Sequence, residues 1–138
     1  YEFLYAAANE RKMPILFHTW GTEKNFNEIS VIAEKYSETS LLLAHSGSEN
    51  REKYVKIAKE YPNVYLELTL SRSPRGLAEY FAAEVGAEKI VWGSDAIFMS
   101  NTQQIGKVIG AKISDSDKKK ILYDNANKIL NRAEVTYS

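Results

Sequence analysis

The feature that most constrains this chain is an alternation. Four short apolar runs are each followed by a longer amphipathic segment. The runs are Ile15-Leu16-Phe17, Leu41-Leu42-Leu43-Ala44, Val64 to Leu70, and Ile90-Val91-Trp92. Each has strand length and is set off by stop or turn signals such as Pro14, Pro62-Asn63 and Gly86. Between them apolar residues recur at helical spacing. Phe26, Ile29, Ile32, Ala33 and Tyr36 mark a helix over 25–36, and Tyr54, Ile57 and Ala58 mark one over 50–60. Leu77, Tyr80 and Phe81 mark a third over 74–85, with Ser73-Pro74 as its expected cap and first turn. A helix over 2–12 precedes the first run. Two more follow the last, over 101–110 and from Ser114 to Leu130, the second opened by the capping pair Ser114 and Asp117. Parallel strands need long crossovers, and helices of this length supply them. The pattern therefore predicts an α/β fold of parallel βα units, one unit over 1–138 with no linker.

In parallel α/β proteins, ligands and reacting groups collect at the carboxyl ends of strands. Three of the four runs end there in a group that binds metal or moves a proton: His18, His45 and Asp95. Two-residue periodicity puts His18 on the side of Leu16 and Pro14. It puts His45 with Leu43 and Leu41, and Asp95 with Gly93 and Val91. Singly, each has a structural explanation as a hydrogen-bonded loop or turn residue. Together, three strand-end placements favour one shared site. Imidazole and carboxylate are the donors expected for a borderline divalent ion.

Other polar residues carry weaker signals. Glu67 lies opposite the leucines of its own run, so it faces a barrel interior or is a buried, satisfied carboxylate. Trp20 is a candidate wall for a substrate pocket. Arg72, and beside it Arg75, could pair with a substrate carboxylate, although both also read as solvated loop residues. Trp92 reads as core, and Ser46-Gly47-Ser48 as a plain turn.

Composition narrows the function classes. The 18 basic and 18 acidic residues cancel, and no basic cluster offers a face to nucleic acid or an anionic membrane. With no cysteine, disulfides, thiolate nucleophiles and cysteine zinc sites are excluded. No apolar run is long enough to span a bilayer, and the first residues do not read as a signal peptide, so a cytoplasmic setting is expected. There is no Walker, dinucleotide or nucleophile-elbow motif.

Several segments resemble the last half of the amidohydrolase-related metal-dependent hydrolases. They are Pro14-Ile15-Leu16-Phe17-His18-Thr19-Trp20-Gly21, Leu43-Ala44-His45-Ser46-Gly47 and Ile90-Val91-Trp92-Gly93-Ser94-Asp95-Ala96. The tail Asn125-Ala126-Asn127-Lys128-Ile129-Leu130 resembles the family's closing helix. The resemblance implies strands five to eight of a (β/α)8 TIM barrel. It implies that His18 is a metal ligand, that His45 is a second ligand or the acid/base, and that Asp95 binds metal and relays a proton. The implied cofactor is a divalent ion, zinc first, with manganese or iron as alternatives. The implied activity is hydrolysis of a small molecule by metal-activated water; the alternative is decarboxylation on the same scaffold. The family's first-strand His-x-His pair has no counterpart here. The chain is therefore expected to be the C-terminal part of a longer enzyme, or to self-associate, and to be inactive alone. A non-catalytic open-sheet α/β binding module, with structural histidines, is the competing reading from another class.

Overall fold

A computed structural model describes residues 1–134. The chain runs α1 (Glu2–Glu10), β1 (Ile15–His18), α2 (Glu23–Lys35), β2 (Leu41–Ala44), α3 (Arg51–Glu60), β3 (Val64–Glu67), α4 (Leu77–Val85), β4 (Ile90–Val91), α5 (Asn101–Ile109), α6 (Asp115–Lys119) and α7 (Asn125–Arg132). The four strands form one parallel sheet in the order β1-β2-β3-β4. Sequential order matters. Right-handed crossovers that always step the same way put every connecting helix on one face of the sheet. A doubly wound sheet reverses direction and carries helices on both faces. This sheet is built like a barrel arc.

The register separates the two faces. Phe17, Leu43, Leu66 and Ile90 stand side by side across the four strands. With Leu41 and Val64 they form the face that packs on Phe26, Ile29, Tyr54, Ile57, Leu77 and Phe81 of the helices. The opposite row is Leu16–Leu42–Tyr65 and, one step on, His18–Ala44, with Glu67 beside Val91. This second face is the concave one, and the functional side chains are on it.

Local signals explain most element ends. Thr22, Ser100 and Ser114 cap α2, α5 and α6, each hydroxyl accepting a backbone N–H three residues on. Ser114 also donates to Asp117, as the capping pair predicted. The cap expected at Ser73-Pro74 is not used: α4 starts at Leu77, after Gly76 takes a left-handed turn at φ 81°. Strand β3 stops at Glu67 instead of Leu70 because its neighbour is short. Leu68 still donates to the Val91 carbonyl, but the Leu70 N–H turns to the Gln104 side chain. The inside–outside alternation outlives the ladder, with Leu68 and Leu70 in the core and Thr69 on the concave face.

The predicted closing helix carries a π turn over Lys120–Asp124 between α6 and α7. An i→i+5 turn displaces the helical hydrogen bonds by a residue. The Ile121 carbonyl meets the Trp92 N–H at 3.0 Å, where the β4 ladder would otherwise end unpaired. Asn125 then donates to the Ala87 and Ile90 carbonyls at the start of β4. From there α7 runs to the start of β1, where Glu134 bonds the Arg11 carbonyl through its N–H and pairs with Lys12 at 2.6 Å. Ala126, Ile129 and Leu130 of α7 thereby border the concave face. No described helix is long and apolar enough to cross a membrane.

Candidate active site

The concave face holds a cavity of about 450 Å³, lined by apolar strand residues such as Leu16, Leu42 and Val91. Its polar lining comes from His18, His45, Glu67, Thr69, Ser94 and Asp95. The three strand-end residues therefore share one cavity. Neither Trp20 nor Arg72 is among its lining residues.

His18 reaches the cavity as periodicity predicts, beside Leu16 on the exposed side of β1. His45 does not. Periodicity grouped it with Leu41 and Leu43, which face the helices. The backbone at His45 is left-handed, at φ 63°, and this turns the ring back onto the concave side. Asp95 keeps the side of Val91 and Gly93, and its backbone is also left-handed, at φ 49°. Left-handed backbone at a residue other than glycine costs about 1 kcal/mol. Such strain gathers where function fixes a side chain.

The two imidazoles touch edge to face, with centroids 4.6 Å apart and planes at 73°. His45 Nδ1 lies 2.8 Å from the Thr69 carbonyl. A carbonyl only accepts, so Nδ1 carries the proton in that contact, and Nε2 of the neutral ring keeps its lone pair. Metal-binding histidines are oriented in this way. Behind the rings, Thr19 donates to the Ala44 carbonyl at 2.6 Å, and the Tyr54 hydroxyl donates to Thr19 at 2.6 Å. That buried chain ties the end of β1 to the end of β2 and so fixes the spacing of His18 and His45.

Glu67 is buried on the cavity wall and acts as a structural anchor for the site. Its carboxylate accepts the N–H of Thr69 at 2.9 Å, the Thr69 hydroxyl, and the N–H of His45 at 3.3 Å. Burial pushes its carboxyl above the ordinary value; the Thr69 and His45 donors pull the other way. Gly93 lies against it, and an added Cβ would meet Glu67 Oε1 at 2.0 Å. The sequence left Glu67 as an inward-facing group or a buried, satisfied carboxylate; it lines the cavity and is buried and satisfied, and only its partners were not legible. Thr69 was missed, although its place two residues after Glu67 in the alternating run was a usable signal. Trp92, expected in the core, is half-buried: it packs on the core and also borders the cavity.

The donor chemistry fits a borderline divalent ion: two touching imidazoles and a carboxylate on one cavity, with His45 held in the ligating tautomer. Among the described residues, no three His, Cys, Asp or Glu side chains already stand close enough together to hold an ion. The set is open, with the histidines paired and Asp95 on the same wall.

Comparison with known proteins follows the same line. The sequence profile of the amidohydrolase family matches residues 1–132. The chain belongs to the amidohydrolase family. The family is metal-dependent, and its members are enzymes. No curated protein matches this amidohydrolase-family chain significantly. Among solved structures, a TIM-barrel protein from Bordetella bronchiseptica superposes with TM-score 0.78 at 20% identity, covering 95% of this chain and 50% of that one. A 5-carboxyvanillate decarboxylase from Sphingomonas paucimobilis gives 0.69 at 13% identity, over 93% of this chain and 52% of that one. A dihydroxybenzoic acid decarboxylase from a Polaromonas species, holding manganese and an inhibitor, gives 0.64 at 21% identity, over 97% and 55%. The arc seen here is thus a TIM-barrel arc, and the chain spans about half the length of these solved structures.

Proposed function

We propose that this chain carries half of the active site of a metal-dependent hydrolase acting on a small molecule. The observation that supports it best is the paired histidines, with His45 Nδ1 bonded to the Thr69 carbonyl and Nε2 left free. His18 and Asp95 would hold the ion, zinc first and manganese next, and His45 would be either a further ligand through Nε2 or, off the ion, the acid/base. When bound, a divalent ion supplies Lewis acidity: it polarises a substrate oxygen and makes water easier to deprotonate. The protein's own groups do the rest. In the acid/base role His45 is not a ligand: its Nε2 accepts a proton and returns it to the leaving group, while the Thr69 carbonyl holds the imidazolium so formed. Asp95, which lines the same cavity, accepts or relays the same proton. Glu67 does not react; through the His45 N–H it fixes the backbone that aims the ring. The apolar wall of Leu16, Leu42 and Val91 excludes water from the substrate's non-reacting part.

Decarboxylation of a carboxylic acid is the second reading, and the apolar wall favours it. As CO₂ leaves, the C–C bonding pair and its negative charge pass from the carboxylate to the carbon, where the charge is dispersed and then neutralised by a proton, and a low-dielectric wall disfavours the localised carboxylate charge most. Two of the structures compared above are decarboxylases of aromatic acids. In this reading His45 donates the proton that replaces CO₂. A screen of esters, amides and lactones against aromatic carboxylic acids separates the two. Turnover of the first group with no CO₂ release is expected; CO₂ release from the acids alone would transfer the proposal to the second reading.

The partner belongs to the same proposal. Among the described residues β1 pairs only with β2, and the concave face is open beside Leu16. We assign the remaining strands and ligands to a complementary half-barrel, in the same polypeptide or in another copy, in a cytoplasmic setting. The 138 residues alone are then expected to show no turnover.

A further inference from the structure

We infer that Trp20 is a positioning residue that holds the His18 ring in place for metal binding. The inference rests on the metal-dependent reading above. His45 has a hydrogen-bonded anchor in the Thr69 carbonyl, whereas no described residue hydrogen-bonds the His18 ring. Imidazole ligands without such an anchor rotate, and each rotation loses the aligned lone pair. The contacts that hold His18 are aromatic. The Trp20 indole meets it edge to face, with centroids 4.6 Å apart and planes at 63°, and His45 meets it from its own side. Trp20 also lies nearly parallel to His45, at 6.1 Å and 25°. One indole thus braces both rings.

The placement of Trp20 agrees with this role better than with a substrate wall. It is absent from the cavity lining and is 60% exposed, so the core does not need it. Yet its backbone is pinned at successive residues. Thr19 donates to the Ala44 carbonyl, the Trp20 N–H to Asn25 Oδ1 at 3.2 Å, and Asn50 to the Gly21 carbonyl at 2.7 Å. Gly21 is left-handed at φ 70°, and an added Cβ would lie 2.5 Å from the Glu49 carbonyl oxygen, so the turn is closely packed. A large exposed apolar side chain on a rigid turn, set against two imidazoles, serves the orientation of those rings.

The test is a titration of Mn²⁺ and Zn²⁺ into the barrel-complete protein, by competition with a chelating dye, for wild type, Trp20→Ala and Trp20→Phe. Loss of an orienting neighbour weakens metal binding by about tenfold or more. Trp20→Ala is expected to show that loss with its thermal midpoint unchanged, and Trp20→Phe to restore most of the affinity. Unchanged affinity in Trp20→Ala, beside a wild type that binds metal, overturns the inference and leaves the metal-dependent reading standing. Equal loss in both variants also overturns it, since the ring edge would then not be what holds His18. A wild type that binds neither ion overturns the reading itself and the inference with it.

Discussion

Asp95→Asn lowers kcat of the barrel-complete enzyme by about a thousandfold or more, the range seen when a positioned acid/base or ligand is lost at a metal site. Asparagine is the informative replacement. It tolerates the left-handed backbone at position 95, which alanine does not. It keeps the shape of aspartate and removes only the charge. The Asp95 side chain is partly exposed and no described residue hydrogen-bonds it, so stability should stay within about 1 kcal/mol of wild type. Steady-state kinetics and a urea melt on the same preparation check both halves. A stable variant with near-normal kcat removes Asp95 from the chemistry.

Gly93→Ala is expected to destabilise the fold by about 3 kcal/mol, combining overpacking with lost hydrogen bonds to a buried carboxylate. The added methyl lands 2.0 Å from Glu67 Oε1 and 2.8 Å from Thr69 Oγ1. Glu67 cannot swing aside freely, because its carboxylate is buried and held by Thr69 and the His45 N–H. Moving it breaks those bonds and leaves a desolvated charge without partners. For a chain of this size the thermal midpoint should fall by roughly 10 °C. Gly106→Ala is the control: it sits in α5 with nothing within 4 Å, and it should be neutral or slightly stabilising. Shortening the obstacle tests the cause. In a Gly93→Ala, Glu67→Ala double variant the two penalties should add to less than their sum. If Gly93→Ala melts with Gly106→Ala, Glu67 is not the anchor described.

The architecture was legible because hydrophobic periodicity is repeated and redundant. Four strand-length runs, each bounded by turn residues, fix a parallel sheet even when single boundaries slip. The slips have local causes. Ser73-Pro74 looked like a helix start, but Gly76 supplies a turn that starts α4 later. Val64 to Leu70 alternates throughout, yet only its first part is a ladder, because ladder length is set by the neighbouring strand.

The site was legible by position and partly illegible by direction. His18 and Asp95 follow the parity of their strands. His45 violates it, since one left-handed residue reverses a side chain without leaving a sequence mark. Trp20 is a candidate pocket wall by its place in the chain; its ring meets His18 edge to face and lies nearly parallel to His45. Arg72 follows the third run but does not line the cavity. Long side chains on loops are aimed by tertiary packing, which a linear pattern does not encode.

Metal content tests the central claim most directly. Barrel-complete protein, expressed in metal-supplemented medium and dialysed, should carry close to one divalent ion per chain by elemental analysis, and His18→Ala should lose it while staying folded. A folded wild type without a stoichiometric ion, or a His18→Ala variant that retains it fully, would contradict a metal centre built on these strand ends.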